Sequence, residues 1–282
     1  MDALAKSGHH AIYQSTKKSN YKEVLETSTD LVIAAGGDGT IEKIASRLID
    51  RHIPLSVLPL GTANNLACSL GFVASAPEII AGLQDGKERM FDVGLARGPW
   101  GKQFFFEGVG GGLIADYVRA AKGTSGKTKG LSEKQEMTWH ISLMREMSHD
   151  YPAGKWKIEI DGEDISDRYI LWEALNIRSV GPVLSLARRA STKDGRFDLV
   201  CVGERDRSAL MQYLEARLAG QKAKLSLPTR RFRELKIAFK KLTIHIDDTV
   251  WPRKKQQSKH RTQIKITVKP SALIVLQPGV NC

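Results

Sequence analysis

The chain has 282 residues, 41% hydrophobic and 26% charged, and its 43 lysines and arginines against 31 aspartates and glutamates give a net charge of +12. That length can bury a sizeable core and suits two domains, while the positive balance favours an acidic partner: nucleotide phosphates, an anionic membrane face or nucleic acid. The three cysteines, Cys68, Cys201 and Cys282, form neither a disulfide framework nor a zinc spacing, and no apolar stretch reaches the roughly 20 residues that span a bilayer, so a reducing cytoplasm with peripheral membrane contact is the expected setting.

Helical spacing begins at Met1-Asp2-Ala3-Leu4, and a first short strand is expected before Thr16. The apolar run Leu31-Val32-Ile33-Ala34-Ala35 predicts a buried strand that ends in Gly36-Gly37-Asp38-Gly39-Thr40. Ile41, Ile44, Ala45, Leu48 and Ile49 then follow helical spacing. A second buried strand, Pro54 to Pro59, runs into Leu60-Gly61-Thr62-Ala63-Asn64-Asn65. Strand, helix and strand make one right-handed crossover, which brings both polar loops to the carboxyl edge of a parallel sheet, where open α/β folds bind ligands. Glycines there let a triphosphate approach the backbone, the amides and the Thr40 hydroxyl can donate to its oxygens, and the helix N-terminus adds partial positive charge. A lone aspartate amid those donors suits bound magnesium.

A helix near Pro77 to Gln84 and a strand over Met90 to Leu95 complete an α/β domain, residues 1–95. Beyond it the texture changes to short β-rich runs: Phe104 to Phe106, Lys155 to Ile160, Tyr169 to Ile177, Phe197 to Val202, Leu235 to Phe239, Leu242 to Ile246 and Ile264 to Val268. These predict an antiparallel sandwich or barrel over residues 96–270, interrupted by helices near Leu113 to Ala121, Glu133 to Met147 and Ser208 to Ala219. The closing run Ala272 to Leu276 can pair in either domain, and 271–282 is a candidate return to the first. Ala121 to Thr128 nearly spells a Walker A loop, but it follows a helical pattern where a P-loop needs a strand. Asp161-Gly162-Glu163 lies between apolar alternations and predicts a hairpin turn. The seven histidines show no metal-ligand spacing.

Gly36 to Thr40, Pro59 to Ala67, Phe91-Asp92-Val93-Gly94 and Asp194-Gly195-Arg196-Phe197-Asp198 together resemble, almost end to end, the catalytic domain of diacylglycerol kinases and their bacterial lipid-kinase relatives, a group that includes sphingosine and ceramide kinases. The resemblance implies a Rossmann-like parallel α/β domain that binds nucleotide, a C-terminal antiparallel β-sandwich for the lipid substrate, and ATP between them. It implies transfer of the γ-phosphoryl group to a lipid hydroxyl such as that of diacylglycerol, a step of phospholipid metabolism. ATP is then expected on Gly36, Gly37, Asp38, Gly39, Thr40, Ile41, Glu42, Gly61, Thr62 and Asn64, with Thr16 as an outlying contact. A magnesium network is expected at Asp38, Asn65 and Asp92, and a structural metal at Asp194 with the backbone of Ser191 and Arg196.

Three departures bear on activity. Asn65 stands where the family pattern has an acidic residue and cannot offset a cation's charge. Asp247-Asp248-Thr249 replaces Asp-Gly-Glu, so Asp38, Asp247 or Asp248 must accept the lipid hydroxyl's proton, and Asp38 and Asp247 are the catalytic candidates. The family's opening strand, with its Asn-Pro phosphate loop, is missing. Two alternatives stay open: an NAD kinase-like enzyme, and a catalytically degenerate nucleotide- or lipid-binding module. Arg230-Arg231-Phe232-Arg233, Lys240-Lys241, Arg253-Lys254-Lys255 and His260-Arg261 are candidates for an anionic membrane face, where each cation contributes about 1 kcal/mol. Nucleic acid ranks last as a partner, since only charge suggests it, and a homodimer is compatible with the sequence.

Overall fold

The computed structural model describes every residue except 62, 125, 127, 182–183, 253–260 and 280–282. The chain forms two compact units, Met1–Val93 with Pro270–Cys282, and Gly94–Lys269. Among the described residues no helix is long and apolar enough to cross a membrane.

In the first unit the strands Val32–Gly36 and Leu55–Pro59 pair in parallel, in register from Val32 opposite Leu55 to Gly36 opposite Pro59. The helix Asp38–Leu48 connects them and buries Ile41, Ile44, Ala45 and Leu48 against the sheet. Val275 in the last part of the strand Thr262–Gln277 also pairs in parallel with Leu55, so the closing apolar run joins this sheet. Ala34, Leu55 and Val57, which share one face of this sheet, are buried, whereas Ala35 on the other face is exposed. Helix Ala76–Ala81 starts at a capping box in which Ser75 and Glu78 satisfy each other's end of the first turn.

The strand expected before Thr16 does not form. Residues 9–15 have no regular structure, and Ile12 and Tyr13 are 79% and 74% exposed. A further strand beside Val32–Gly36 would need apolar side chains on both faces. His9, His10, Gln14 and Ser15 supply polar ones instead, leaving only Ala11, Ile12 and Tyr13 to bury.

The second unit contains a six-stranded antiparallel sheet in the order Thr229–Phe232, Phe197–Val202, Leu171–Leu175, Gly108–Gly112, Ile244–Ile246, Thr249–Trp251. Gly154–Ile160, Glu234–Phe239 and the first part of Thr262–Gln277 form a second antiparallel group. The two share one core, with Trp156, Ile158, Ile237 and Ile264 from one and Trp172, Ala174, Phe197, Leu199 and Ile244 from the other. On the opposite face of the six-stranded sheet, Leu171, Leu175, Val200 and Val202 pack with Leu113, Ile114 and Tyr117 of helix Leu113–Gly123, Ile141 and Met144 of helix Glu133–His149, and Leu210 and Leu214 of helix Arg207–Leu218. A central strand such as Leu171–Leu175 is therefore buried on both faces along its whole length.

Ile160 pairs with Glu163 across a two-residue turn in which Asp161 and Gly162 have φ of 48° and 94°, the left-handed backbone of a type I′ hairpin. The Walker-like segment begins inside a helix, since Ala121 to Gly123 close Leu113–Gly123, and Ser125 and Lys127 lie outside the described residues.

Candidate functional site

Parallel register sets the ends of the two first-unit strands side by side, so their loops emerge together. The Leu60 amide donates to the Gly36 carbonyl at 3.0 Å. The two chains then come close enough that a Cβ on Gly61 would lie 2.5 Å from the Gly37 Cα, and one on Gly37 would lie 3.1 Å from the Gly61 Cα. A Cβ on Gly36 would meet Thr40 Oγ1 at 2.8 Å. Gly36 and Gly61 have no room for a side chain, and Gly37 would be tight. Gly39 differs, because a Cβ there would have nothing within 4 Å. The protein's own packing does not require that glycine, and its backbone stays open on the first turn of Asp38–Leu48.

Asp38 joins the two loops. Its Oδ2 accepts from the Asn65 amide at 3.2 Å and its Oδ1 from the Leu66 amide at 3.1 Å. Those amides open the short helix Asn65–Ser69, whose own N-cap residue, Asn64, makes no side-chain cap. Asp38 thus caps from the first loop a helix that belongs to the second. Burial pushes its carboxyl above the ordinary aspartate value, against the lowering pull of the Leu66, Asn65 and Ala67 amides. Asn64, at φ 49°, closes the second loop on itself: its Oδ1 accepts from the Gly61 amide at 2.9 Å, and its Nδ2 donates to the Gly61 carbonyl at 2.6 Å.

The remaining nucleotide candidates are less uniform. Ile41 is fully buried, so only its backbone can face a ligand, Glu42 is half-buried, and Thr16 sits in a turn after the irregular stretch. Thr62 lies outside the described residues. The three expected magnesium positions do not make a cage of carboxylates. Asp38 is engaged by amides, Asn65 is neutral, and Asp92, only 1% exposed, accepts from the Ser271 amide at 2.8 Å. Among the described residues no group of three or more His, Cys, Asp or Glu is gathered to hold a metal. In the second unit Asp194 accepts from the Arg196 amide at 3.1 Å and is ion-paired to Arg231, with Ser191 half-buried nearby in sequence.

Asp247 occupies the two-residue turn between Ile246 and Thr249 with φ of 46°. Its Oδ1 accepts from the amides of Glu107 and Gly108 at 2.9 and 3.0 Å, and Phe106 donates to Oδ2 at 3.0 Å. Burial raises its pKa to about 6, against the lowering effect of those amides and of His245. Asp248 is exposed and ion-paired with Lys122 at 2.8 Å, and the Thr249 hydroxyl leans on Asp248 at 3.3 Å. Behind this turn lies a pair that sequence reading passed over: His245 Nε2 is 3.0 Å from both carboxylate oxygens of Glu173, and both residues are buried. The one available signal was a charged residue inside the apolar run Leu171 to Leu175.

Of the basic runs, Arg230 pairs with Glu163 and Arg231 with Asp194. Residues 253–260 lie outside the described residues.

A two-loop glycine corner on a parallel sheet, followed by an antiparallel unit, defines an α/β-plus-β protein, and comparison with known proteins narrows the class. The diacylglycerol kinase catalytic domain, as a family, matches residues 2–96. The diacylglycerol kinase of Bacillus subtilis (strain 168) is 28% identical over 206 residues, which take in 71% of this chain and 64% of that protein. The match therefore spans slightly less than two thirds of that relative's length. The diacylglycerol kinase of Mycobacterium tuberculosis (strain H37Rv) is 25% identical over 258 residues, 89% of this chain and 77% of the relative. In fold, the crystal structure of a diacylglycerol kinase from Bacillus anthracis str. Sterne aligns with a TM-score of 0.62 at 19% identity, covering 92% of this chain and 79% of that one. Residues 2–96 thus match the diacylglycerol kinase catalytic domain in sequence, and the chain has the fold of the solved diacylglycerol kinases.

Proposed function

We propose that this chain is an ATP-dependent lipid kinase that transfers the γ-phosphoryl group to the hydroxyl of a lipid such as diacylglycerol. The supporting observation is the meeting of Gly37 and Gly61, which brings the loops at the ends of two adjacent strands into backbone contact with Asp38 bridging them. In this reading the first unit is a Rossmann-like nucleotide domain. The triphosphate lies along Gly36 to Glu42 and the Gly61 to Asn64 loop, with the open face of Gly39 and the Thr40 hydroxyl against its oxygens. Phosphoryl transfer asks a protein mainly for positioning and charge stabilisation, and amides at a helix start supply both. Asp38 holds the loops in their mutual register. Because its carboxylate is taken up by amides and Asn65 is neutral, the residues fit a direct magnesium cage poorly, and no step is assigned to a protein-held metal.

For the acceptor hydroxyl, Asp247 is the proposed base. Its Oδ2 carries fewer amide bonds than Oδ1, and its raised pKa suits a proton acceptor near neutral pH. Peripheral contact with anionic lipid through the basic residues of the second unit would hold the enzyme where its substrate lies.

Asp161 supports a second reading, that of a degenerate binding module. Its carboxylate accepts from the Arg233 and Glu234 amides at 3.1 and 2.8 Å, much as Asp247 holds the 106–108 amides, in a turn to which no chemistry is assigned. With Thr249 where the family has glutamate, Asp247 could be a turn anchor alone. Radiolabelled ATP transfer to diacylglycerol, sphingosine and ceramide, with nicotinamide dinucleotide as a further acceptor, separates these cases. Lipid turnover that Asp38→Asn and Asp247→Asn abolish is expected. Nucleotide binding without turnover, persisting in a Thr249→Glu variant, would favour the module, and turnover only with the dinucleotide would replace the lipid reading.

A further inference from the structure

Strand pairing lines up three residues across the middle of the six-stranded sheet: His245 is opposite Gly110, and Gly110 is opposite Glu173. A side chain on the central residue would keep the outer two apart. A Cβ on Gly110 would sit 1.9 Å from Glu173 Oε1, so the glutamate reaches across the bare glycine to the imidazole. Nε2 lies 3.0 Å from both carboxylate oxygens, and on the ring's other side Nδ1 lies 2.8 Å from the Asp247 carbonyl. Glu173 is 0% and His245 2% exposed, so neither faces bulk water.

A carbonyl oxygen can only accept, which assigns the Nδ1 proton outright. One more proton must then lie between Nε2 and Glu173, since otherwise lone pairs would face each other in a dry interior. With one proton the pair is neutral as a unit, whether it is imidazolium with carboxylate or imidazole with carboxylic acid. Gaining or losing a proton would leave a net buried charge.

We propose that Glu173 and His245 form a positioning pair that shares one proton and pins the Asp247 turn against the Phe106 to Gly108 amides. Three groups of Asp247 are tied at once: its carbonyl to His245, its amide to the Gly108 carbonyl at 2.8 Å, and its carboxylate to the 106–108 amides. Such a clamp suits a non-glycine residue held at φ 46°. The charged groups acting on His245 are Glu173 on the Leu171–Leu175 strand and Asp247 in its own turn. The strand Gly108–Gly112 brings no titratable side chain. Charged side chains of the neighbouring helix Leu113–Gly123 are engaged elsewhere, Asp116 with Arg119 and Tyr151, and Lys122 with Asp248. Burial pulls the imidazolium down, yet Glu173 and Asp247 together raise it, while burial pushes Glu173 up. Both directions agree with a proton retained by the pair.

The kinetic part of the test rests on the lipid-kinase reading, and the spectroscopic part does not. With 15N-histidine label in the full chain, His245 should keep its Nδ1 proton and show no titration from about pH 5.5 to 8.5. Glu173→Gln preserves the chain of hydrogen bonds, with the amide donating to Nε2, and should keep kcat within about threefold. Glu173→Leu leaves Nε2 without a partner and should lower kcat about tenfold with KM for ATP unchanged, the size of one lost buried hydrogen bond. In His245→Gln the amides of residues 106–108 should exchange hydrogen about ten times faster. Free titration of His245, or Glu173→Leu with wild-type kcat together with wild-type exchange at 106–108 in His245→Gln, would overturn the proposal. A wild-type chain without turnover would instead count against the kinase reading, and the spectra and exchange rates would still decide the pair.

Discussion

Replacing Gly39 by alanine separates what the fold needs from what a nucleotide needs. Gly36 and Gly61 are required by contacts of 2.8 and 2.5 Å inside the corner, whereas the space beside Gly39 is open and its backbone is helical. A methyl group there meets no protein atom, and removing a glycine's freedom from a helix favours folding by roughly 0.5–1 kcal/mol. Thermal unfolding should therefore rise by about 1–4 °C. If phosphate oxygens lie against that backbone, the same methyl displaces a charge-assisted hydrogen bond worth about 1.5–3 kcal/mol, which weakens ATP binding about ten- to a hundredfold. Calorimetric titration with ATP and a melting curve measure the two effects on one sample. Gly61→Ala serves as the control, because it forces a Cβ into the other loop and should destabilise by about 1–3 kcal/mol. A Gly39→Ala protein that is more stable and binds ATP as tightly as wild type would refute the assignment of phosphate to this corner.

Asp38→Ala should cost about 1 kcal/mol in urea unfolding through loss of the cap on Asn65 and Leu66, with Asp38→Asn intermediate, and equal stability of all three would remove the loop-bridging role. Burial and then the Asp38 charge push the exposed Cys68 thiol up, so Asp38→Asn should speed its alkylation at pH 8 several-fold. ATP should slow that reaction, and Cys201, whose thiol burial raises to about 12, should stay unmodified in peptide mapping. Burial lifts Asp247 from 3.8 to about 6, so the folded chain holds a proton that the unfolded chain releases. Its contribution to stability is complete below the lower value and is lost as pH rises through the higher. The stability of wild type relative to Asp247→Asn should fall over that window by at most about 1.4 kcal/mol per pH unit. An unchanged slope in the variant would show that another group titrates.

How much was legible follows the range of each interaction. Helix Asp38–Leu48 announces itself through Ile41, Ile44, Ala45 and Leu48, and the hairpin at Asp161-Gly162 through a turn dipeptide between alternating apolar residues, because both depend on neighbours in the chain. The strand expected before Thr16 shows the limit of that reading, since a few apolar residues form a strand only if a partner edge and two apolar faces receive them. Asp161 and Asp247 look alike in sequence, each at the first position of a two-residue turn. Only the fold distinguishes them, by setting His245 and Glu173 behind the second.

The order of apolar and polar residues determined which segments are helices and strands and where glycine permits close backbone approach, since spacing along the chain sets which side chains share a face. Tertiary structure alone decided that Gly37 meets Gly61, that Asp38 caps a helix in the other loop, and that Glu173 reaches His245 over Gly110. Each of these contacts joins residues far apart in the chain, and the register that aligns them is fixed by the packing of whole sheets.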